Sequence, residues 1–258
     1  LPESPGDPKE IIELLHTYGS PASVAQTGGR YFGFVNGGIT PAALGAKWLA
    51  AAWDQNAAMY ASSPIASKLE EVCEAWIVTL LGLPETTAVG YVSGSSIATL
   101  CGLAAGREAL ASALEITGSY IVQSAHRDGM HYTPEMSRRA RIVELWATLK
   151  SLRKTGVAEL VEDLQQKAVH FAAELSKAGF SILNEVCFNQ VLLAAENEKL
   201  TAAVLQKVQR SGELWCGGSQ WQGQLVIRLS VCSFQTTHAD IDRCVMAFAN
   251  AREEALKA

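Results

Sequence analysis

Little in this sequence points to a membrane, a metal or a nucleic acid. No apolar run is long enough to span a bilayer. The stretch "LPESPGDPKE" has neither the basic nor the apolar region of a secretory signal, so a cytoplasmic protein is expected. The six cysteines (Cys73, Cys101, Cys187, Cys216, Cys232 and Cys244) are scattered, mostly inside apolar runs. They form no CxxC pair and no Cys/His cluster at zinc spacing, which argues against a disulfide framework and against a metal site. Charge is also scarce: Asp, Glu, Lys and Arg make up 18% of residues, for a net charge of -5. No Lys/Arg stripe stands out, so no nucleic-acid partner is expected. Only "SRRAR" at 137–141 is locally basic, and on a helix such arginines usually face solvent or pair with carboxylates.

The rest is the composition of a globular protein with a substantial core: 258 residues, 48% of them hydrophobic. Helical patterns follow one another from "PKEIIELLHTYG" through "AALGAKWLAAAWDQ" to "ASKLEEVCEAWIVTLLG", the last ended by Gly82. Two long amphipathic helices, "TPEMSRRARIVELWATLKSLRKTG" and "GVAELVEDLQQKAVHFAAELSKAG", are each expected to close at a glycine. The last hundred residues alternate strand-like runs ("FSILNEV", "FNQVLLAA", "LVIRLSVC") with helices. The final helix is announced by a capping-box pair, Thr237 and Asp240. Mixed α/β is the expected class. The run "TAVGYVS" reads as a strand, yet almost no strand signal accompanies it before Phe180. A parallel sheet needs several buried runs, and a lone strand leaves its backbone unpaired.

Three stretches carry candidate chemistry. "GYVSGSSIATLCGLAAGR" hands a strand-like run over to a helix through Gly94, Ser95 and Ser96. The first turn of a helix has unpaired N–H groups and the positive end of the dipole, which suits a phosphate. The plainer reading makes one serine an N-cap. Arg228, inside the apolar "LVIRLSVC", needs an anion to offset its burial. That anion is either a protein carboxylate or the carboxylate of a ligand held by the guanidinium fork. "GGRYFGFVNGGITP" places five glycines around an aromatic core. It reads as a connector, or as a place where something approaches the backbone closely.

Five stretches, in order, resemble the group II pyridoxal-phosphate-dependent amino-acid decarboxylases, the family of the aromatic-L-amino-acid and glutamate decarboxylases. They are "GGRYFGFVNGG", "AMYASSPIASKLEEVCEAWIVTLLGLP", "GYVSGSSIATLCGLAAGR", "RDGMHYTPEMSRRARIVELWATLKSL" and "LVIRLSVCSFQTTHADIDR". The resemblance implies a fold-type-I (aspartate aminotransferase-like) α/β large domain, incomplete here, and a C-terminal α+β small domain. The boundaries expected are an N-terminal segment at 1–45, a large cofactor-binding domain at 46–154 and a small domain at 155–258. The family's cofactor is pyridoxal 5'-phosphate, its substrate an amino acid, and its assembly a homodimer.

By the same resemblance, Gly94, Ser95 and Ser96 hold the cofactor phosphate and Arg228 the substrate α-carboxylate. Phe34 and Asn36 line the substrate pocket, while Asn56 and Tyr60 belong to the segment that reaches a partner's site. Tyr132, with His131 beside it, falls in the stretch corresponding to the mobile loop and is the candidate proton donor. The reaction implied is decarboxylation of an L-amino acid to an amine and CO2. The alternatives are aminotransfer or C–C/C–S lysis on the same scaffold, and a non-catalytic dimeric remnant.

One family block does not occur. Relatives carry, between the phosphate turn and the "SRRAR" stretch, a histidine over the cofactor ring, an aspartate at its nitrogen, and the cofactor-bonding lysine in a His-Lys pair. No His-Lys pair occurs in the 258 residues; "AAGREAL" runs directly into "ASALEITGSYIVQS" near 110–113. Either the sequence is joined across a block the protein carries, or the block has been lost. An apo state is the expectation where that block is not ordered.

Overall fold

Proline at the first turn starts three of the helices. In α1 (Pro8–Leu14), α2 (Pro41–Trp53) and α3 (Pro64–Leu81), the side chains of Asp7, Thr40 and Ser63 accept the backbone N–H of Lys9, Ala43 and Ala66. A proline there forfeits no helical hydrogen bond, and the cap satisfies a donor that the helix leaves open. Gly82 ends α3 in the left-handed conformation expected of it (φ 62°). The computed structural model describes residues 6–105, 125–135 and 137–257. The expected seam at 110–113 and the run around Tyr120 lie outside these.

Two units divide the chain: Leu1–Gly38 with Leu160–Ala258, and Ile39–Glu159. The first thirty-eight residues, expected as part of a separate segment, group with the C-terminal unit for a local reason. Phe32 N–H donates to Trp215 O (2.8 Å), Trp215 N–H to Arg30 O (3.1 Å), and Ser230 N–H to Phe32 O (3.0 Å). The Phe32 side chain is 1% exposed and packs edge-on against Phe171.

That unit is built on an antiparallel sheet. Its strands are β1 (Ser181–Ile182), β2 (Gln190–Ala194), β3 (Gly217–Trp221) and β4 (Gln224–Ser230), in the order β1-β2-β4-β3. Val191 and Leu193 on β2 and Val226, Ile227 and Leu229 on β4 are buried. The helices Glu198–Ser211 and His238–Leu256 pack on one another, with Val204, Val208, Ile241 and Phe248 in the same core. The capping box forms as expected: Thr237 accepts from the N–H of Asp240, whose carboxylate accepts from the N–H of Thr237. Strand β3 has no counterpart in the sequence reading. It pairs with β4 through a two-residue turn, Gln222 and Gly223, both at positive φ (49° and 83°).

The Ile39–Glu159 unit holds α2, α3, α4 (Ser95–Ala105) and the first turns of α5 (Ile142–Lys177). Its core is Leu69, Cys73, Ile142 and Val143 with several alanines. Two expectations are corrected here. The helix expected from Thr133 starts only at Ile142, and α5 is two helices joined across a kink as expected, with the junction at Arg153 (φ 59°) and not at Gly156. The run "TAVGYVS" forms no strand among the described residues.

The backbone of that run is satisfied by charged side chains in place of neighbouring strands. Val89 N–H donates to Glu74 Oε2 (2.7 Å), while the guanidinium of Arg127 donates to Val89 O. Arg138 Nη1 donates to Tyr91 O (2.8 Å) and Arg141 Nη1 to Ser93 O (3.2 Å). Both the N–H and the hydroxyl of Ser93 donate to the carboxylate of Glu135 (3.0 and 2.5 Å).

Candidate active site

The side-chain clamps deliver the chain to the start of α4. Gly94 precedes the first helical residue, and its carbonyl accepts from Ala98 N–H (3.0 Å). A Cβ placed on Gly94 meets open space, and Ser95 and Ser96 are exposed. Among the described residues neither serine hydroxyl has a hydrogen-bond partner, so neither caps the helix. Hydroxyl donors and a helix start that face open space are the donor set an anionic group requires.

Arg228 lies in the middle of β4, opposite Leu192 on β2 and Gly217 on β3. Antiparallel pairing fixes its backbone on both sides, and the glycine partner presents no side chain against it. The residue is half-buried rather than fully buried, and no carboxylate pairs with it among the described residues. Its field is nevertheless felt nearby: burial pushes the Cys232 thiol up, and the hydrogen bond from Asn189 and the charge of Arg228 oppose that rise.

The remaining expected site residues have these places. Phe34, in the left-handed region (φ 54°) and 60% exposed, stacks on the Trp215 ring, as does Tyr31. A Cβ on Gly33 would overlap the Trp215 ring, which is why glycine occurs in this aromatic stretch. What approaches the backbone is thus the protein's own tryptophan. Asn36 donates its carboxamide N–H to Gln26 Oε1 (3.3 Å). Phe34 and Asn36 belong, with Arg228, to the unit that carries the sheet.

Asn56, Tyr60, Gly94, Ser95, Ser96 and Tyr132 belong to the other unit. The carboxamide oxygen of Asn56 accepts from Ala58 N–H (3.1 Å) and Arg138 N–H (3.4 Å), which holds the loop in shape. Tyr60 stacks on His126 with ring centroids 4.1 Å apart, and its N–H donates to Asp128 Oδ1 (2.6 Å). The Arg127 guanidinium lies 3.8 Å from the centre of the Tyr132 ring. His131, beside it, is exposed.

Beneath these residues is a charged cluster that the sequence pattern did not single out. Arg127 pairs with Glu70 (3.1 Å) and Glu74 (2.8 Å), and Arg138 pairs with Glu70 (2.6 Å); Glu70 and both arginines are almost fully buried. Burial opposes the charge on Arg127, but hydrogen bonds to Glu74 and Glu70 outweigh it and raise its pKa. Burial also raises the Tyr91 phenol, so it stays protonated. The signal available was "SRRAR" together with "KLEEVCE", basic and acidic runs far apart in the chain.

Pyridoxal phosphate fits the residues present at its phosphate end only. The open turn at Gly94–Ser96 offers hydroxyl donors without partners among the described residues. At the covalent end, Lys68, Lys167, Lys177 and Lys207 are each tied to a carboxylate, and the sequence contains no His-Lys pair. Among the described residues no group of His, Cys, Asp or Glu clusters for a metal, and no helix is long and apolar enough to cross a membrane.

No protein-family profile matches the chain. Over 120 residues it is 31% identical to histidine decarboxylase of Drosophila melanogaster; the match covers 44% of this chain and 14% of that protein. In structure it is similar to Catharanthus roseus tryptophan decarboxylase in complex with L-tryptophan (TM-score 0.87, 12% identity, 99% of this chain and 90% of that one). It is also similar to Oryza sativa TDC with PLP and tryptamine (TM-score 0.90, 11% identity, 98% and 90%). The fold is therefore the α/β fold-type-I architecture of these decarboxylases, as the motifs implied.

Proposed function

We propose that this chain, which has the fold and the sequence likeness of the group II decarboxylases, carries the phosphate-anchoring turn and the carboxylate-binding arginine of a pyridoxal-phosphate-dependent amino-acid decarboxylase. The observation that carries the reading is Arg228. It is a half-buried guanidinium fixed by strands on both sides, with no protein carboxylate to neutralise it among the described residues. A planar fork of this kind holds an α-carboxylate with two parallel bonds. The likeness to histidine decarboxylase supports the same class of substrate, an L-amino acid.

When bound, pyridoxal phosphate supplies an electron sink for the carbanion that loss of CO2 leaves. The residues of this chain have simpler tasks. Ser95 and Ser96 donate their hydroxyls, with the N–H groups of the α4 start, to the phosphate. Arg228 fixes the substrate by its carboxylate and so sets which bond is held ready to break. Phe34 and Asn36 border the substrate, Asn56 and Tyr60 serve a partner subunit's site, and Tyr132 returns the proton to carbon.

A homodimer is part of the reading. Ile11, Ile12, Leu14, Leu15 and Tyr18 near the N-terminus, and Trp48, Leu49 and Trp53 on α2, leave large apolar side chains exposed. Patches of that kind mark protein contacts. All six cysteines are free thiols, in keeping with a reducing compartment such as the cytoplasm.

The test is an intact-mass measurement on the protein from its source, followed by an assay with pyridoxal phosphate and L-amino acids. A mass well above 27.6 kDa, with amine and CO2 formed and lost in Arg228→Ala, supports the reading. A keto acid in place of the amine assigns aminotransfer instead. A 27.6 kDa protein that releases no CO2 is the non-catalytic remnant, and overturns it.

A further inference from the structure

Away from every residue assigned above, α3 and the part of α5 around Arg153 border a half-open cavity of about 440 Å³. That volume is within the ~300–1,000 Å³ of small-molecule sites. Its apolar wall is Trp76, Leu80, Leu149 and Val157, and its cations are Lys150, Arg153 and Lys154. Among the described residues no carboxylate lines it. Among the described residues none of the three cations has an acidic partner, although the chain as a whole is acidic. Lys150 is directed over the Trp76 ring, 6.0 Å from its centre.

Arg153 adds a second, independent observation. Its backbone (φ 59°, ψ -180°) lies in a region that is essentially reserved for glycine. Strain of that kind is characteristic of ligand clamps, and here it falls on a residue that lines the cavity. Three unneutralised cations around an apolar, aromatic-walled space match one ligand chemistry: a hydrocarbon body for the wall and an anionic end for the cations.

We infer that this cavity binds an amphipathic organic monoanion, an acyl chain or aromatic ring ending in a carboxylate. The site is separate from the decarboxylase reading and depends on none of its residues. The chain takes up the ligand as a free molecule: its hydrocarbon part packs between Trp76 and Leu149, and its carboxylate is held by Lys150, Arg153 and Lys154.

Titration calorimetry with monomeric dodecanoate, with dodecanol as the uncharged control, tests this directly. The expected result is one dodecanoate per chain and much weaker binding of dodecanol. The double variant Lys150→Gln/Lys154→Gln, at exposed positions that should leave folding intact, should lose about tenfold in affinity. Arg153→Gly should bind more weakly while raising the urea midpoint, because glycine adopts that backbone without strain. The inference is overturned by equal affinity for the alcohol, by an unchanged double variant, or by association with anionic vesicles only. Folding of each variant is checked by circular dichroism.

Discussion

Arg138 Nη2 lies 2.6 Å from Glu70 Oε1, and both side chains are more than nine-tenths buried. The same arginine donates to the carbonyl oxygens of Tyr91 and Ala57, so one side chain ties α3, the 56–60 loop and the approach to α4. Its Nε is the one buried side-chain nitrogen or oxygen without a hydrogen-bond partner among the described residues. Glu70 in turn serves Arg127 through its other oxygen.

This pairing makes Glu70 the most sensitive polar position of its unit. Glu70→Ala leaves two buried guanidinium groups short of their counter-charge, and breaking a buried pair costs roughly 3–5 kcal/mol. Urea unfolding of the variant should show a loss of that order. A loss below about 1 kcal/mol would mean that the pair behaves as a surface one.

The contact of Gly33 with Trp215 yields a paired prediction. Gly33→Ala drives a methyl group into the indole ring and should destabilise the protein by about 1–3 kcal/mol, the usual cost of overpacking. Gly33→Ala combined with Trp215→Leu should recover part of that loss, since the space taken by the new methyl is vacated. Simple additivity of the two single losses would show that they do not share the contact.

Asp240 gives the pH dependence a sign. Its carboxyl is held below the ordinary value, chiefly by the hydrogen bond from the Thr237 hydroxyl. The folded protein therefore binds fewer protons there than the unfolded chain. Its contribution is complete above an unfolded value of about 3.9 and is lost as the pH falls through the folded pKa. Asp240→Asn should lower stability at neutral pH by roughly 0.3–1 kcal/mol, the usual worth of a negative charge in a helix's first turn. Urea midpoints of the two proteins should then draw together on acidification. A gap that stays constant with pH would remove the carboxylate from the explanation.

The thiols should divide by burial. Burial pushes Cys73 up to about 11 and Cys216 and Cys244 up to about 12, while Cys187 is exposed. Since the thiolate is the nucleophile, iodoacetamide at mildly alkaline pH should label Cys187 first. Cys73, Cys216 and Cys244 should react only after unfolding. Peptide mass spectrometry reads the order, and early labelling of Cys216 would contradict its place in the core.

The first three helices, the capping box at Thr237 and Asp240, and most strands of the C-terminal sheet could be read from the sequence because each is set by neighbours a few residues apart. Proline at a first turn, glycine at a left-handed stop and alternation along "LVIRLSVC" are local signals, and the structure follows them. Strand β3 was missed because "GGSQW" has neither β-branched residues nor a common turn pair, and only its register against β4 makes it a strand.

What the sequence settled alone was a mixed α/β chain with Gly94–Ser96 at a helix start and Arg228 within a strand, and its resemblance to the decarboxylases implied the fold type. Tertiary structure decided how "TAVGYVS" satisfies its backbone without a sheet, which glycine faces Trp215, and that Glu70 neutralises two arginines some sixty residues away. The reason is physical. Periodicity reports which face of an element is apolar, whereas a buried charge is stabilised only by the particular groups that folding brings within hydrogen-bond reach.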